Sequence, residues 1–258
     1  MTSVRAITAF QLLACILVVG VQSQQESGTR NSGVDRESKT QTLSASLDSM
    51  DELEVQGIPD SSGEEVKIQA NVASYRGRRA VRIVNDDGPS GGISGGQVLA
   101  IVKKSVFKDG TIEAEVAGFP RPGAKPSTRG FIGIAFRIQN HGSRYEAFYL
   151  RMANGRANDQ LQRNHSAQYM SHPEFPWNRL RDENPGVYES YVDLDVGAWT
   201  RIKIVVAGNK AQLYVNGADR PCLIVNDLKL GDSHGSVALW TGSDTEAYFS
   251  KLALRPEE

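Results

Sequence analysis

The feature that most constrains this chain is a series of short segments in which apolar and polar residues alternate, separated by turn signals. The clearest is the segment 201–216, where apolar residues alternate up to Val206, Gly208-Asn209 supplies a two-residue turn, and the alternation resumes at Ala211. A period of two predicts half-buried strands, and the Gly-Asn pair predicts that the two strands form a hairpin. Since no segment from 66 to 256 keeps a helical period for about twelve residues, we expect an antiparallel all-β domain.

The other predicted strands follow the same pattern. They cover the segments 66–72, 80–84, 98–102, 237–239 and 249–254. The apolar phase shifts between Phe249 and Leu252, which predicts a β-bulge near Ser250 and Lys251. The segment from Ala153 to about Asp195 is too irregular for a run of strands and too long for a plain connection. We therefore predict a two-sheet sandwich with one long insertion loop.

The N-terminal part of the chain differs in composition from the rest. Arg5 followed by the apolar stretch Ile7–Val21 is typical of a signal peptide, with cleavage expected after Ser23. Residues 24–63 are mostly polar and keep neither strand nor helical period, so we predict a disordered tether there. The expected organisation is a signal peptide at 1–23, a tether at 24–63 and a β domain at 64–256, in a secreted or periplasmic protein.

Charge and cysteine content narrow the function classes. The chain has 29 Lys plus Arg against 30 Asp plus Glu, a net charge of -1, so no overall positive field favours nucleic acid. Loss of residues 1–23 would remove Cys15 and leave Cys222 alone, which excludes an intrachain disulfide. We predict that the Cys222 thiol is buried and unreactive. We expect a monomer. We also expect no membrane span in the mature form, because the apolar stretch Ile7–Val21 is shorter than the ~20 residues that cross a bilayer.

Several segments together resemble the jelly rolls of concanavalin A-like lectins and glucanases. They are Gly130–Arg137, Arg144–Arg151, Trp199–Val206, Tyr214–Gly217, Gly235–Trp240 and Ala247–Leu252. Within that group the chain looks most similar to laminin-G-like modules and to the secreted 3-keto-disaccharide hydrolases. The hydrolase pattern has Gln, Asp and Gln where this chain has Phe148, Arg151 and Trp240. The resemblance implies an antiparallel two-sheet jelly-roll sandwich covering residues 66–256.

The insertion concentrates the side chains that proteins use to bind sugars. Planar polar groups bind neighbouring hydroxyls in pairs, and aromatic rings cover the apolar face of a sugar ring. Gln162, Phe175, Tyr188 and Tyr191 belong to these types. The side chains predicted to contact ligand are Arg137, Arg151, Asn158, Asp159, Gln160, Arg163, His165, Tyr169, His172, Trp177, Arg179 and Trp240. They could equally be solvated loop groups whose aromatic members hold the loop on the sandwich.

Two acidic residues are the candidates for catalysis. Glu146 lies on a predicted strand in apolar surroundings, where it is either the structural ion-pair partner of Arg137 or a general acid/base oriented by it. Glu189 is the predicted second carboxylate, with Glu246 as an alternative, because glycoside hydrolysis generally uses two. Three functions stay open: carbohydrate binding on the concave sheet under the insertion, glycoside hydrolysis, and protein interaction as in laminin-G modules.

No cofactor or catalytic metal is expected. His141, His165, His172 and His234 lack the spacing of metal ligands on one element. Asn85-Asp86-Asp87 and Asn158-Asp159 offer the oxygen atoms that structural calcium binds, although turns favour the same residues for local hydrogen bonding. We prefer the turn interpretation and keep structural calcium as the alternative.

Overall fold

The computed structural model describes residues 42–61, 63–86 and 95–257. The predicted signal peptide lies outside these residues. The strands, in chain order, are β1 (Leu43–Ala45), β2 (Leu53–Ile58), β3 (Lys67–Tyr75), β4 (Arg78–Asp86), β5 (Gln97–Val102), β6 (Asp109–Pro120), β7 (Phe131–Gln139), β8 (Arg144–Arg151), β9 (Ala167–His172), β10 (Glu189–Ser190), β11 (Thr200–Ala207), β12 (Lys210–Val215), β13 (Leu223–Val225), β14 (Ser236–Thr241) and β15 (Thr245–Glu257). Two short helices, α1 (Gln160–Asn164) and α2 (Trp177–Glu183), lie between β8 and β10, and single 3-10 turns occur at Asn140–Gly142 and Met152–Asn154.

The strands form two antiparallel sheets, as the alternation predicts. The seven-stranded sheet has the order β10-β9-β8-β7-β14-β5-β2, and the eight-stranded sheet has the order β13-β12-β11-β6-β15-β4-β3 with β1 added beside β15. β15 pairs with β4 up to Phe249 and with β1 from Leu252 onward. The pairing of β15 with β6 shifts register between Ser250 and Ala253, where Lys251 has a φ of 53°, which confirms the predicted bulge.

The core lies between the two sheets. Ile132 on β7 faces β6 of the opposite sheet, since a Cβ added at Gly118 would lie 3.1 Å from its side chain. Its cross-strand partner is Leu150 on β8, and because side chains alternate along a strand, Glu146 and Phe148 share this inner face. The outer face of the seven-stranded sheet therefore carries Tyr145, Ala147, Tyr149 and Arg151 of β8.

Gly133 makes room on that outer face. It pairs with Tyr149 on one side and Trp240 on the other, and a Cβ at Gly133 would lie 2.7 Å from the Cβ of Tyr149. The two rings instead stack with centroids 4.7 Å apart. The outer face thus carries a pair of stacked aromatic rings in the middle of the sheet, and both residues are buried.

Two parts of the predicted organisation need correction. The tether prediction is wrong from residue 42 onward, because β1 and β2 pair with β15 and β5 and bury Leu47 and Leu53. The segment 153–195 is not a plain loop, since β9 and β10 extend the seven-stranded sheet beyond β8. In both places the apolar pattern is too short to be recognised locally, and pairing with a distant strand decides the structure.

The predicted hairpin agrees with the structure, whereas the Cys222 thiol is less buried than predicted. Ala207 pairs with Lys210 across Gly208-Asn209, and Gly208 has a φ of 57°. Cys222 is half-buried, and burial raises the pKa of its thiol to about 11. A thiol with so high a pKa stays protonated at neutral pH and is a poor nucleophile.

Candidate functional site

A cavity of about 430 Å³ opens at the end of the seven-stranded sheet where β7 begins. Four parts of the chain enclose it: the β6–β7 loop, the segment from the end of β8 through α1, the helix α2, and the β14–β15 loop. Its lining residues are Lys125, Ser127, Thr128, Arg129, Phe131, Arg151, Asn154, Gln162, His165, Trp177, Arg181, Ser243 and Asp244.

Arg151 and Phe131 are cross-strand partners at the base of the cavity. Arg151 is 5% exposed. Its guanidinium donates to the carbonyl of His165 at 2.9 Å, to Oε1 of Gln168 at 3.0 Å and to the hydroxyl of Tyr149 at 3.0 Å. These bonds fix the guanidinium in position and leave part of its donor capacity available.

Trp177 forms an aromatic wall. It is the first residue of α2 and packs in part against the core. The guanidinium carbon atoms of Arg151 and Arg181 lie 5.5 and 4.7 Å from the centroid of its ring. Cation–π attraction therefore holds two like-charged groups against one indole.

Glu189 lies behind this wall and fixes two of the lining residues. Arg181 binds it with both ends of its guanidinium, at 3.0 Å to Oε1 and 2.7 Å to Oε2, and Nε2 of His165 is 3.1 Å from Oε1. Burial lowers the pKa of His165, and the charges of Arg181 and Arg151 add to this effect while Glu189 opposes it. The lowered pKa favours the neutral imidazole, which can exchange hydrogen bonds without adding charge.

Asn154 presents an unused acceptor. The residue is 3% exposed, and its amide nitrogen donates to the carbonyl of His165 at 3.3 Å. Its Oδ1 is buried and has no hydrogen-bond partner among the described residues. A buried acceptor without a donor is costly, so this atom marks a place for a ligand hydroxyl or a bound water.

The structure brings three of the predicted ligand residues into the cavity: Arg151, His165 and Trp177. Glu189, predicted as catalytic, supports them from behind. Gln162, from the same polar segment, also lines the cavity. The insertion therefore does contribute to this candidate site.

Five other predicted residues lie on the surface of the insertion, outside the cavity lining. Asn158 is exposed, and the carboxylate of Asp159 caps α1 by accepting from the backbone N–H of Gln162 at 2.7 Å. Gln160 donates to Asn164, Arg163 donates to the hydroxyl of Tyr191, and Arg179 pairs with Glu183. The contacts of Asp159, Gln160 and Arg179 are the local ones expected of solvated loop groups, whereas Arg163 bonds to a residue 28 positions later in the chain.

His172 and Trp240 lie on the outer face of the sheet, and neither lines the cavity. His172 stacks on Tyr145 with centroids 4.9 Å apart, while Trp240 stacks on Tyr149. Tyr145 and Trp240 both donate to Oε1 of Gln97. These rings continue the row of stacked aromatic side chains along the sheet, and Tyr145, Tyr149 and Trp240 are all buried.

Glu146 and Tyr169 lie between the sheets and are fully buried. Oε1 of Glu146 accepts from the backbone N–H of Leu230 at 2.6 Å and from the hydroxyl of Tyr169 at 3.2 Å. Burial raises the pKa of Glu146 to about 7. A side chain with no exposed surface cannot contact a sugar on the outer face. Glu146 therefore does not belong to the candidate site.

Arg137 takes a different partner from the one its sequence neighbours indicate. Its guanidinium forms an ion pair with Asp109 at 3.0 Å and donates to the carbonyls of Lys108, Gly208 and Gly231. The prediction that Arg137 pairs with Glu146 is therefore wrong. The β7–β8 register shifts between Phe136 and Gln139, and Arg137 has a φ of 53°, so its side chain leaves the regular alternation.

Sequence reasoning missed most of the cavity's other residues. Phe131 could have been found, because strand parity places it beside Arg151 once the two strands are paired. Arg129, Asn154, Arg181 and Asp244 come from separate loops or helices, and no local pattern relates them. Glu246, the alternative second carboxylate, instead pairs with Arg82 at 2.8 Å.

Among the residues proposed for calcium, Asp86 and Asp159 have partners, whereas the buried Oδ1 of Asn85 has no hydrogen-bond partner among the described residues. Asp86 forms an ion pair with Arg121, and the amide of Asn85 donates to the carbonyl of Gly96, while Asp87 lies outside the described residues. Within the described part of the chain, no group of three His, Cys, Asp or Glu side chains is placed to hold a metal. Among the same residues, no helix has the length and apolar character needed to cross a membrane.

Comparison with known proteins identifies the fold. No protein-family model and no curated protein matches the sequence. A solved structure described as a native glycosidic hydrolase is similar over 85% of this chain and 97% of its own, with 12% identity and a TM-score of 0.50. The chain has the glucanase/lectin jelly-roll fold.

Two further solved structures are similar at lower scores. A β-1,3-1,4-glucanase (lichenase) derived from a mouse hindgut metagenome has 13% identity over 84% of this jelly-roll chain and 99% of its own, with a TM-score of 0.48. The carbohydrate binding module CBM66 from Bacillus subtilis has 14% identity over 72% and 92%, with a TM-score of 0.46.

Proposed function

We propose that this protein is an exported carbohydrate-binding domain that holds a sugar in the cavity between Phe131 and Trp177. The observation that carries the proposal is Asn154, which lines the cavity and whose buried Oδ1 has no hydrogen-bond partner among the described residues. Sugar hydroxyls are donors of the kind it needs. A volume of about 430 Å³ also lies within the range of small-molecule sites, about 300–1,000 Å³.

The other lining groups suit the same ligand. Phe131 and Trp177 offer partly exposed ring surface for the apolar face of a sugar. Gln162 and His165 present planar groups that can both donate and accept, and Arg151 adds donors. The glycosidic hydrolase of the same fold is in accord with a carbohydrate ligand.

Binding is favoured over hydrolysis because the described lining residues contain no available pair of carboxylates. Among the described lining residues the one carboxylate is Asp244, whose Oδ1 accepts from Nε of Arg121 at 2.9 Å. Glu189 is held by Arg181 and His165 behind the wall. Glycoside hydrolysis generally needs two carboxylates with access to the bond.

A protein-interaction module of the laminin-G type is the third function that the sequence left open. Such modules bind partners over a broad surface, whereas the polar side chains here converge on one concave site. The cavity therefore supports a small ligand in preference to a protein partner. Export, to the outside of the cell or to the periplasm, rests on the predicted signal peptide at residues 1–23, and sequencing the N-terminus of the exported protein tests it.

The proposed site is tested by a pair of variants on one helix. Gln162 on α1 lines the cavity, whereas Gln160 on the same helix is exposed and bonds to Asn164. After a screen of neutral and acidic polysaccharides by affinity electrophoresis, the best ligand is titrated by calorimetry. Gln162→Ala should weaken binding about fivefold, the equivalent of one hydrogen bond of about 1 kcal/mol, and Gln160→Ala should bind as the wild type.

Two outcomes would contradict the proposal. Equal effects of the two Gln variants would place the sugar elsewhere on the surface. Release of new reducing ends from a polysaccharide, abolished by Asp244→Asn, would show that the domain is a hydrolase.

A further inference from the structure

Arginine side chains outnumber carboxylates in the described lining of the cavity. Three of them, Arg129, Arg151 and Arg181, line it together with one carboxylate among the described lining residues, Asp244. That carboxylate is bound by Arg121, which also pairs with Asp86, and neither Arg121 nor Asp86 is among the lining residues. Although the whole chain has a net charge of -1, the local field in this cavity attracts anions.

Arg151 carries the strongest part of this argument. It is 5% exposed, and its three hydrogen bonds all go to neutral acceptors: a backbone carbonyl, the amide of Gln168 and the hydroxyl of Tyr149. A guanidinium has five N–H groups, so two have no partner among the described residues. Burial lowers the pKa of Arg151, and the charge of Arg181 acts in the same direction.

The carboxylate of Glu189, which attracts Arg151, is shared with other side chains. Glu189 attracts Arg151, but it is bound by both ends of the Arg181 guanidinium and contacts His165. Two guanidinium groups therefore share one carboxylate at the Trp177 wall. A buried charge without a full partner is costly, and an anionic ligand would supply the missing one.

The Asn154 acceptor narrows the class of anion. Its buried Oδ1 needs a donor, and a simple anion such as sulfate has none to offer. A sugar acid supplies both groups, a hydroxyl for Asn154 and a planar carboxylate that matches the fork of a guanidinium.

We infer that the ligand is an acidic carbohydrate containing uronic acid, whose carboxylate binds Arg151 and Arg181 while a hydroxyl donates to Asn154. This inference rests on the proposed function, since it assigns the ligand class of the same cavity.

The test compares ligands that differ only at the carboxyl group. The probes are oligomers of galacturonate, mannuronate, guluronate and glucuronate, each paired with the neutral oligosaccharide obtained by reducing its carboxyl groups. Calorimetry with the whole protein measures Kd at low and moderate salt. At least one uronate should bind, carboxyl reduction should weaken it at least tenfold, and added salt should weaken the uronate more than its neutral counterpart.

A matched pair of variants locates the effect. Arg181→Gln should weaken uronate binding at least tenfold, and by a larger factor than it weakens the binding of the reduced oligosaccharide. Arg156→Gln is the control, because Arg156 belongs to the same insertion and pairs with Asp193 and Asp195 at 3.0 and 3.1 Å without lining the cavity. The comparison of reduced and unreduced ligands uses the wild type and stays decisive if Arg181→Gln does not fold.

The possible failures can be told apart. If neutral oligosaccharides bind as tightly as uronates, the acidic ligand class is overturned and the proposed function survives. If no oligosaccharide of either kind binds, both are overturned. If dextran sulfate binds as tightly as the best uronate, the assignment to a carboxylate is overturned in favour of unspecific attraction of anions.

Discussion

The buried carboxyl of Glu146 makes the stability of this domain depend on pH in a direction that can be tested. The side chain has no exposed surface, and its Oε2 has no hydrogen-bond partner among the described residues. Burial raises its pKa from 4.5 to about 7, although the backbone N–H of Leu230 and the charge of Arg137 favour the ionised form. The folded protein therefore holds a proton that the unfolded chain loses near pH 4.5.

The size of the stability change follows from the pKa shift of Glu146. Each pKa unit corresponds to about 1.4 kcal/mol, so ionised Glu146 lowers the free energy of unfolding by about 3 kcal/mol. Between about pH 4.5 and pH 7 the folded state binds more protons than the unfolded state, so stability falls as pH rises through this window. Glu146→Gln keeps the shape and the acceptor oxygen and removes the ionisation. The free energy of unfolding of the variant, measured relative to that of the wild type, should therefore rise by about 3 kcal/mol from pH 4 to pH 8.

Urea unfolding followed by tryptophan fluorescence at several pH values measures this gain. His165 and His172, whose pKa values burial lowers, contribute to both proteins and cancel in the difference. Glu54→Gln, at an exposed position on β2, is the control and should follow the wild type. A constant difference between Glu146→Gln and the wild type across the range, or a variant that does not fold at pH 8, would refute the reasoning.

Two further predictions concern the fold. Gly208→Val should lower the free energy of unfolding by roughly 1–3 kcal/mol, because a β-branched residue is strained at the φ of 57° found there; an unchanged denaturation curve would contradict this. A chain beginning at residue 59 should be less stable by about 3 kcal/mol or more than one beginning at residue 42, since it lacks the buried Leu47 and Leu53, each worth roughly 1.5–3 kcal/mol. Equal melting temperatures of the two chains would show that β1 and β2 add nothing to the sandwich.

The alternation of apolar residues was sufficient to predict the fold class and most central strands. The hairpin of β11 and β12 and the bulge in β15 also follow from local pattern, because a two-residue turn and a change of phase are visible in a few residues. β6 was missed although Ile112, Ala114 and Val116 alternate. The alternation of these three residues is enough to predict a strand there.

Other features could not follow from local pattern. β1 is three residues long and gains its place by pairing with β15, about two hundred residues later in the chain. Glu146 shares its strand face with Phe148, so parity alone favoured the core for it, and the structure bears this out. The partner of Arg137 depends on an irregularity in β7 that brings it to Asp109, and the sequence around it has no sign of that displacement.

The position of the cavity follows from the order of the strands. The β6–β7 and β14–β15 connections both cross from one sheet to the other at the same end of the sandwich, where the backbone N–H of Arg121 donates to the carbonyl of Asp244 at 2.9 Å. The start of β7 is fixed between them, since the backbone N–H of Phe131 donates to Thr245 and its carbonyl accepts from Gly242. Backbone hydrogen bonds therefore place Phe131 and Arg151, whereas loops and short helices supply Arg129, Asn154 and Arg181. Because loop residues can change without loss of core packing, the charge of the cavity can vary independently of the fold. This separation explains why the jelly roll could be predicted from the sequence and the chemistry of its ligand could not.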